Sequence, residues 1–231
     1  MKYSLFCFFF FSLFAFSQTS FERGEKLWLQ RKPNDAKLLF QDYLKSNPNH
    51  SKTLEYLGDI AGSQKQWDQA IGYYKKLKNS FPKDANYSFK YGGALGMKAK
   101  ESNKFKALGM LDEVESAFLT AAKLDVKHLE SRWALVMLYL ELPTIVGGSE
   151  KKAQIYANEL QRISNVQGYL AKGYIDSYFK RYGKAELQFR KAYEIDPSKI
   201  VFEKLYDLYL NKLKDKTKAN KLKEQFENKI G

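Results

Sequence analysis

The stretch with the clearest potential for chemistry is a glycine pair followed by a serine and two lysines. Gly147 and Gly148 precede Ser149, and Lys151 and Lys152 follow. Backbone amides of a glycine-rich turn can bind phosphate, and a nearby lysine can neutralise it. However, the spacing Gly-x4-Gly-Lys-Ser/Thr is missing and no strand is predicted before the turn. We therefore interpret the stretch as a lengthened loop between two helices, in which Ser149 caps the second helix.

The two histidines and a cluster of carboxylates are the other residues that could take part in catalysis or metal binding. His50 and His128 fall in turns, without an acidic or cysteine partner at ligand spacing, so we interpret both as solvated turn residues. Asp112, Glu113 and Glu115 lie on a predicted helix, where a solvated charged face is the ordinary explanation. No nucleophile elbow or metal motif occurs. The sequence therefore predicts no catalytic, cofactor-binding or metal-binding residue, and a protein that is not an enzyme.

The N-terminal stretch MKYSLFCFFFFSLFAFS, residues 1–17, combines a lysine with an apolar run and a small residue near its end. This pattern is typical of a cleaved secretory signal. The apolar run from Ser4 to Phe16 is shorter than the about 20 residues that a membrane anchor needs, so an anchor is the weaker alternative. Cys7 is the only cysteine, and the mature chain is predicted to have no disulfide. We therefore expect an exported protein that is periplasmic or secreted.

A glycine, an alanine and a proline recur along the chain at identical intervals of twelve residues. An aromatic residue, Phe40, Tyr74 or Phe189, follows each alanine four positions later. The recurring sets are Gly24, Ala36 and Pro48; Gly58, Ala70 and Pro82; and Gly173, Ala185 and Pro197. The first two sets are 34 residues apart. A fixed period of this length predicts an array of short units that pack on one another.

Each unit is predicted to be a pair of antiparallel helices. Within residues 54–82, apolar residues fall at helical spacing in two runs, and the Gly-Ser pair at 62–63 separates them. Gly58 and Ala70 lack bulk, so the two helices can approach closely, and Tyr74 fills the space beside them. Because a hairpin this short cannot bury its own apolar face, stacking on the next hairpin must stabilise it.

This pattern resembles the tetratricopeptide-repeat family, whose signature is matched by Leu57, Gly58, Ala70, Tyr74 and Pro82. The resemblance implies an all-α solenoid, a right-handed superhelix of about six helical hairpins, which serves as a scaffold for protein or peptide binding. The predicted units are residues 18–50, 51–84, 85–128, 129–165, 166–199 and 200–231. The region from about residue 85 to 165 also looks like a group of exported bacterial repeat proteins of unknown role.

Two insertions interrupt the period in the middle of the chain. In the third unit the second helix resumes at Val114 and Phe118, about ten residues late, after a lysine-rich insertion at residues 98–110. In the fourth unit the loop after Pro143 delays the second helix, whose core face starts at Ala153, by about three residues. The sequence leaves open whether the 98–110 insertion closes the inner wall of the solenoid.

The first helix of each unit lines the concave wall in solenoids of this kind, and here that wall is aromatic in the middle and charged at its ends. Large aromatic residues are the usual anchors for partner segments. The predicted partner-binding residues are Phe89, Trp133, Met137, Leu170, Tyr174 and Tyr178. As an alternative, these side chains pack between units or are covered by the insertion.

These observations predict a non-enzymatic protein–protein interaction scaffold of the bacterial cell envelope that binds a partner segment in the concave groove. The first alternative is a carrier that holds a small apolar ligand or lipid in the same concavity. The second alternative is a structural member of an envelope complex, which binds through its convex face or its last unit. We expect a monomer or a weakly associated protein.

The chain is basic, with a formal net charge of +13. No compact nucleic-acid motif occurs, so nucleic acid is not expected as a partner. The charge is interpreted either as a solvated surface, because acidic residues are interspersed, or as contact with an anionic envelope surface. The lysine clusters are Lys98, Lys100, Lys104 and Lys106 in the insertion, and Lys212, Lys214, Lys216, Lys218, Lys221 and Lys223 in the last unit.

Overall fold

The computed structural model describes residues 19–230, which form an array of α-helices without a strand. The predicted signal sequence, residues 1–17 with Cys7, lies outside the described residues. The helices are α1 (Ser20–Leu29), α2 (Pro33–Ser46), α3 (Ser51–Ser63), α4 (Trp67–Ser80), α5 (Ala85–Glu101), α6 (Lys104–Leu124), α7 (Leu129–Glu141), α8 (Glu150–Ile163), α9 (Asn165–Tyr178), α10 (Tyr182–Ile195), α11 (Lys199–Asp207) and α12 (Lys216–Ile230). A 3-10 turn (Thr144–Val146) follows α7, and a π-helical turn (Leu208–Lys212) follows α11.

Consecutive helices pair into hairpins, and each hairpin packs on the next. The pairs are α1–α2, α3–α4, α5–α6, α7–α8, α9–α10 and α11–α12. The second helix of one hairpin packs against the first helix of the following one, as α4 does on α5 and α8 on α9. Buried apolar side chains line these contacts throughout the stack. The predicted fold class, an all-α solenoid of helical hairpins, is confirmed.

The repeated glycine lets the two helices of a hairpin touch. A Cβ atom at Gly58 would lie 2.5 Å from Cε1 of Tyr74, and one at Gly173 would lie 2.4 Å from Cε1 of Phe189. These distances leave no room for a side chain, so each aromatic ring lies directly on a glycine backbone. Ala70 is fully buried in the same hairpin as Gly58. The predicted roles of the small and aromatic residues are therefore confirmed.

Four hairpins turn through a residue with left-handed backbone geometry. These residues are Arg31, Lys65, Lys180 and Lys214, with φ between 57° and 59°. The amide of Lys65 donates to the carbonyl of Gly62 (3.0 Å), and that of Gln66 donates to the carbonyl of Ala61 (2.8 Å), which satisfies the end of α3. The helix break predicted at Gly62 and Ser63 lies too early, because both residues belong to α3.

The third hairpin is longer than the second because both of its helices are extended. Helices α5 and α6 have 17 and 21 residues, whereas α3 and α4 have 13 and 14. Between α5 and α6 lie Ser102 and Asn103, and the Asn103 side chain caps α6 by accepting a hydrogen bond from the amide of Lys106 (3.0 Å). The insertion at residues 98–110 therefore consists mainly of added helical turns.

The Gly-Gly-Ser stretch is a loop between α7 and α8, as predicted. Gly147 adopts a left-handed backbone (φ 101°), and a Cβ atom on Gly148 would lie 1.8 Å from the carbonyl oxygen of Leu142. The Ser149 hydroxyl caps α8 by accepting a hydrogen bond from the amide of Lys152 (3.2 Å). Since the amides of the two glycines donate to carbonyls within the loop, they are not arranged as a phosphate cradle.

The two histidines lie in turns, as predicted, but they cap the following helices and are half-buried, so the prediction that they are solvated was wrong. Nδ1 of His50 accepts a hydrogen bond from the amide of Thr53 (3.3 Å), and Nδ1 of His128 accepts one from the amide of Ser131 (3.1 Å). The ring of His128 also lies 5.3 Å from that of Phe89. Imidazole here takes the capping role that usually belongs to Ser, Thr, Asn or Asp, and this hid the role in the sequence.

Two of the three carboxylates on α6 bind core tyrosines. The Tyr91 hydroxyl donates to Glu113 (2.6 Å), and the Tyr139 hydroxyl donates to Glu115 (2.5 Å). Burial, reinforced by these carboxylates, raises the pKa of both tyrosine hydroxyls, which therefore remain donors. The predicted solvated charged face is thus correct for Asp112 and for Glu113, which is exposed although it also accepts the bond from Tyr91, and wrong for the half-buried Glu115.

Candidate partner-binding site

The first helices of the hairpins lie on the inner side of the stack. Helix α5 contacts α7, and α7 contacts α9, more extensively than any second helix contacts the next second helix. In a curved stack, the elements that approach one another most closely lie on the concave side. The inner wall therefore includes α3, α5, α7 and α9, the helices that carry the predicted partner-binding residues or their charged flanks.

Trp133 and Tyr174 meet on this wall across the boundary between the fourth and fifth hairpins. Their ring centroids are 6.4 Å apart with an interplanar angle of 79°, an edge-to-face arrangement. Nε1 of Trp133 donates a hydrogen bond to Oε1 of Gln167 (2.7 Å). Burial, followed by the charge of Glu141 and by Tyr178, raises the pKa of Tyr174. Both rings are half-buried, so each combines a packing role with a face toward solvent.

Tyr178 and Leu170, which lie one turn from Tyr174 on either side, have opposite environments. Tyr178 is 47% exposed, and its ring lies edge-to-face with that of Phe179, which is exposed as well. Leu170 is only 7% exposed and belongs to the same buried cluster as Phe189. Leu170 is therefore part of the core, and we leave it out of the candidate site.

Phe89 and Met137 line an apolar trough of about 600 Å³ between α5, α6 and α7. The lining residues are Phe89, Gly93, Gly96, Met97, Ala99 and Lys100 on α5; Lys104, Ala107, Leu108, Leu111, Val114 and Phe118 on α6; and Ala134, Met137, Leu138, Glu141, Leu142, Pro143 and Val146 on α7 and the loop after it. The charged residues in this lining are Lys100, Lys104 and Glu141, and the others are uncharged. The added turns of the third hairpin thus form a wall of the trough.

The trough adjoins the aromatic pair through α7. Met137 lies one helical turn after Trp133, and Phe89 packs at 5.9 Å from Phe118 at the inner end of the trough. No ring contact or hydrogen bond joins residues 98–110 to Trp133 or Tyr174 in the part of the chain described. The structure therefore brings Phe89, Met137, Trp133 and Tyr174 together as one largely apolar surface.

Charged side chains nearer the N-terminal end of the wall pair with one another. Nζ of Lys90 lies 2.9 Å from Oε1 of Glu55 and 2.6 Å from Oδ1 of Asp59, and the Tyr74 hydroxyl also donates to Asp59 (2.7 Å). Burial alone would raise the pKa of Glu55, but Lys90 and Lys52 outweigh it and hold this pKa below its usual value. These charges are satisfied internally, so they set the boundary of the apolar surface.

Within residues 19–230, no group of three His, Cys, Asp or Glu side chains is placed to hold a metal ion. None of the helices described is both long and apolar enough to cross a membrane.

The sequence reasoning missed the trough, although it identified two of its residues. The missed floor is formed by Gly93 and Gly96, and the missed wall by Leu108 and Leu111. The signal was present, because residues 89, 93, 96 and 100 share one face of a helix, as do 104, 108 and 111. It was overlooked because the insertion was interpreted through its lysines and not through its apolar spacing.

Comparison with known proteins supports the architecture. Residues 53–84 match the family model for the tetratricopeptide repeat. Among curated protein sequences, none is significantly similar to this chain. The chain therefore has the tetratricopeptide-repeat fold, and its second hairpin carries that family's sequence pattern, so the predicted resemblance is confirmed.

Solved structures extend this likeness over most of the chain. A thermophilic tetratricopeptide-repeat protein of Thermus thermophilus has a TM-score of 0.65 at 17% identity, with 83% of this chain and 97% of the other covered. PilW, a widely conserved type IV pilus biogenesis factor, has a TM-score of 0.65 at 14% identity, with 91% and 92% covered. YrrB, a tetratricopeptide-repeat protein with an unusual peptide-binding site, has a TM-score of 0.54 at 13% identity, with 79% and 87% covered. At these identities the likeness concerns the fold.

Proposed function

We propose that this protein is a non-enzymatic protein–protein interaction scaffold of the bacterial cell envelope, which binds a segment of a partner protein along its inner wall. The observation that carries the proposal is the apolar surface formed by Trp133, Tyr174, Phe89 and Met137, which the packing of the hairpins leaves partly open to solvent. Apolar surface that the fold does not bury is typical of an interaction site.

Three kinds of information support this proposal. YrrB, which shares the fold, has a peptide-binding site, and PilW, which shares it too, is a type IV pilus biogenesis factor. The N-terminal sequence pattern predicts export. The inner wall presents aromatic rings, which supply large contact areas at a low cost in conformational entropy.

In the proposed complex, Trp133 and Tyr174 are the central anchors because packing and the hydrogen bond to Gln167 already fix them. A ring that is held in place before binding loses little freedom on binding. Tyr178 lies at the rim, where its hydroxyl can contact both the partner and water. Lys104 and Lys106 in the added turns, which have no ion-pair partner among the described residues, would favour an acidic partner or an anionic envelope surface.

A carrier of a small apolar ligand or lipid is the second candidate function, and the trough is the observation that favours it. A volume of about 600 Å³ lies within the range of small-molecule sites. Loss of protein capture combined with a co-purifying lipid would support the carrier over the scaffold.

Site-specific photo-crosslinking in the producing organism tests the scaffold. A benzophenone amino acid replaces Tyr178 in one variant and Leu187, an exposed residue on α10, in the matched control; their exposed fractions are 47% and 53%. We expect a discrete protein adduct from position 178 and none from 187. Adducts from 187 but not 178 would instead place the interaction on the outer face.

The variant Trp133→Ala separates an anchor from a core residue. Loss of the adduct at position 178 with the unfolding midpoint retained would support the inner wall as the binding surface. If Trp133→Ala mainly unfolds the protein, then Trp133 is a packing residue between units, and the anchor role proposed for it fails.

A further inference from the structure

Two glycines on the floor of the trough have no role in packing the helices. The preceding Gly92 is needed in the hairpin, because a Cβ atom there would lie 2.9 Å from the Cβ of Ala117. A Cβ atom on Gly93 would meet nothing within 4 Å, and one on Gly96 would meet Cγ1 of Val114 at an ordinary 3.6 Å. Both lie inside α5, where glycine destabilises a helix relative to alanine. Their structural effect is to leave depth in the trough.

Other first helices carry larger side chains at the equivalent place. The residue after the hairpin glycine is Glu25 in α1, Asp59 in α3 and Tyr174 in α9, whereas it is Gly93 in α5. The inner wall therefore has a depression at the third hairpin. The depression lies beside the added helical turns, which no other described hairpin has.

The walls of the trough end in apolar side chains that solvent reaches. Leu108 is 46% exposed, Met97 is exposed to a similar degree, and Ile145 in the facing loop is 94% exposed. Small-molecule sites enclose most of their ligand, so a ligand lying inside the trough would leave these side chains uncovered. A segment of a macromolecule that rests on the rim as well would cover them.

The dimensions of the trough match one face of a helix. From Phe89 to Lys100, α5 spans about 16 Å, or three helical turns. A helix of that length is about 10 Å across with its side chains, and the trough is open to solvent along its apolar rim. Only one face of such a helix would enter, with side chains at positions i, i+3, i+4 and i+7 on the floor.

Charges at the open end favour an acidic occupant. Lys100 pairs with Glu141 across the trough (2.6 Å). Lys104, which lines the trough, and Lys106 have no ion-pair partner among the described residues. Carboxylates on the solvent side of a bound helix would complement these two lysines.

We propose that the trough between α5, α6 and α7 binds an acidic amphipathic helix of a partner protein, with the apolar stripe of that helix on Gly93 and Gly96. This inference rests on the proposed function, since it names the kind of segment that the inner wall takes. The added turns of the third hairpin then serve as the second wall of a helix-binding groove.

Three labelled synthetic peptides of about 15 residues test the proposal by fluorescence anisotropy with the purified protein. The first has leucines at i, i+3, i+4 and i+7 and glutamates on the opposite face. The second has lysine in place of each glutamate, and the third keeps the composition of the first but breaks the leucine spacing. We expect the first to bind, and more weakly as salt is raised. Equal binding of the second or third, or binding of none, overturns the proposal.

The variant Gly93→Leu fills the floor of the trough and should weaken binding of the first peptide at least about tenfold. Gly72→Leu is its matched control, because Gly72 also lies inside a helix with nothing within 4 Å of a Cβ atom, but on α4 and away from the trough. Leu108→Glu, with Leu187→Glu as control, gives a second test that leaves the floor unchanged. Binding that survives both Gly93→Leu and Leu108→Glu overturns the proposal.

A fluorescent fatty acid is the fourth probe. If it binds, if Gly93→Leu abolishes that binding, and if no peptide binds, then the trough takes apolar ligands and the helix proposal is wrong. Failure of the proposed function is a different result, in which the crosslinker at Tyr178 captures no protein. If Tyr178 captures a partner and Gly93→Leu leaves that capture unchanged, only the helix proposal fails.

Discussion

The second and third hairpins are packed alike but differ in length, and this difference separates what the fold requires from what it does not. In the second hairpin Gly58 lies against the ring of Tyr74, and α3 ends at the left-handed turn of Lys65. In the third, Gly92 lies against Phe118 in the same way, but both helices continue for further turns.

The two parts of the third hairpin also differ in burial. Beside Gly92, Ala117 and Phe118 are buried, as the repeat demands. In the added turns Leu108 and Phe105 remain exposed, and no other hairpin covers them in the residues described. Since the apolar side chains of the added turns are not needed to close the repeat, they are available for a partner. This reasoning predicts opposite outcomes for mutations in the two parts.

The largest effect is expected at the junction where the lengthened hairpin joins the fourth. Arg132 is 6% exposed, and its guanidinium donates to the carbonyls of His128 (2.9 Å) and Ala122 (3.1 Å) and to Glu159 (2.9 Å). Arg132→Met removes the donor from the buried carbonyl of Ala122 and the charge partner from Glu159, so we expect the free energy of unfolding in urea to fall by about 4 kcal/mol.

The regular second hairpin has Leu54 at the equivalent place, four residues after its histidine cap. An apolar side chain at this position is therefore sufficient to hold the junction where the second helix of the preceding hairpin is short. Arg190→Met is the control for loss of charge, because Arg190 is exposed and its contact with Glu194 is long at 3.9 Å. Equal effects of the two substitutions would mean that the buried guanidinium does not hold the junction.

A glycine-to-leucine substitution should have different effects in the two hairpins. Gly58→Leu drives a side chain into the ring of Tyr74, which lies 2.5 Å from the position of the new Cβ atom, and should cost about 3 kcal/mol of stability. Gly93→Leu places its side chain in open space inside a helix and should leave stability unchanged or slightly higher. Urea unfolding of both variants checks this, and equal losses would show that the third hairpin needs its second glycine for packing.

These cases explain why the sequence predicted the repeat so well. The intervals between Gly58, Ala70 and Pro82 are fixed by contact between two backbones, and such a contact accepts few residue types. The same constraint applies to Phe189 against Gly173. Small and aromatic residues at constant spacing therefore indicate directly how the two helices of a hairpin pack.

The site was less predictable because its constraints are weaker. Helical periodicity predicts that Trp133 and Tyr174 lie on the inner face of their helices. It does not show that the side chain of Leu170, one turn from Tyr174, is buried in the core. The capping role of His128 depends on a single hydrogen bond. The trough at Gly93 depends on the absence of atoms across three helices, which no short sequence pattern encodes.

A smaller effect, with a defined pH dependence, is expected where the second and third hairpins meet. Lys90 pairs with Glu55 and Asp59, and the folded-state pKa of Glu55 is lowered. This contribution to stability is present above the ordinary carboxyl pKa of 4.5 and is lost as the pH falls through the lower folded value. Lys90→Met should therefore cost about 2 kcal/mol at neutral pH, and the difference should shrink below pH 4.5.

Urea unfolding of wild type and Lys90→Met at several pH values between about 7 and 3 measures this difference. Lys191→Met serves as control, because no ion pair involves that lysine in the described structure. A loss that is independent of pH would mean that Lys90 contributes through its packed aliphatic chain and not through its charge.

The smallest effect is expected at the turns, where one substitution should have opposite signs in the two hairpins. Lys65 holds a left-handed backbone (φ 58°), so Lys65→Gly should raise stability by up to about 1 kcal/mol. Asn103 in the lengthened turn has φ −64°, and its side chain caps α6, so Asn103→Gly should lower stability by a few tenths of a kcal/mol.

Thermal unfolding midpoints of both variants measure the two signs, and Lys65→Ala shows whether any gain comes from removing the long side chain. Destabilisation by Lys65→Gly would mean that the freedom which glycine adds to the unfolded chain outweighs the relief of the strained backbone.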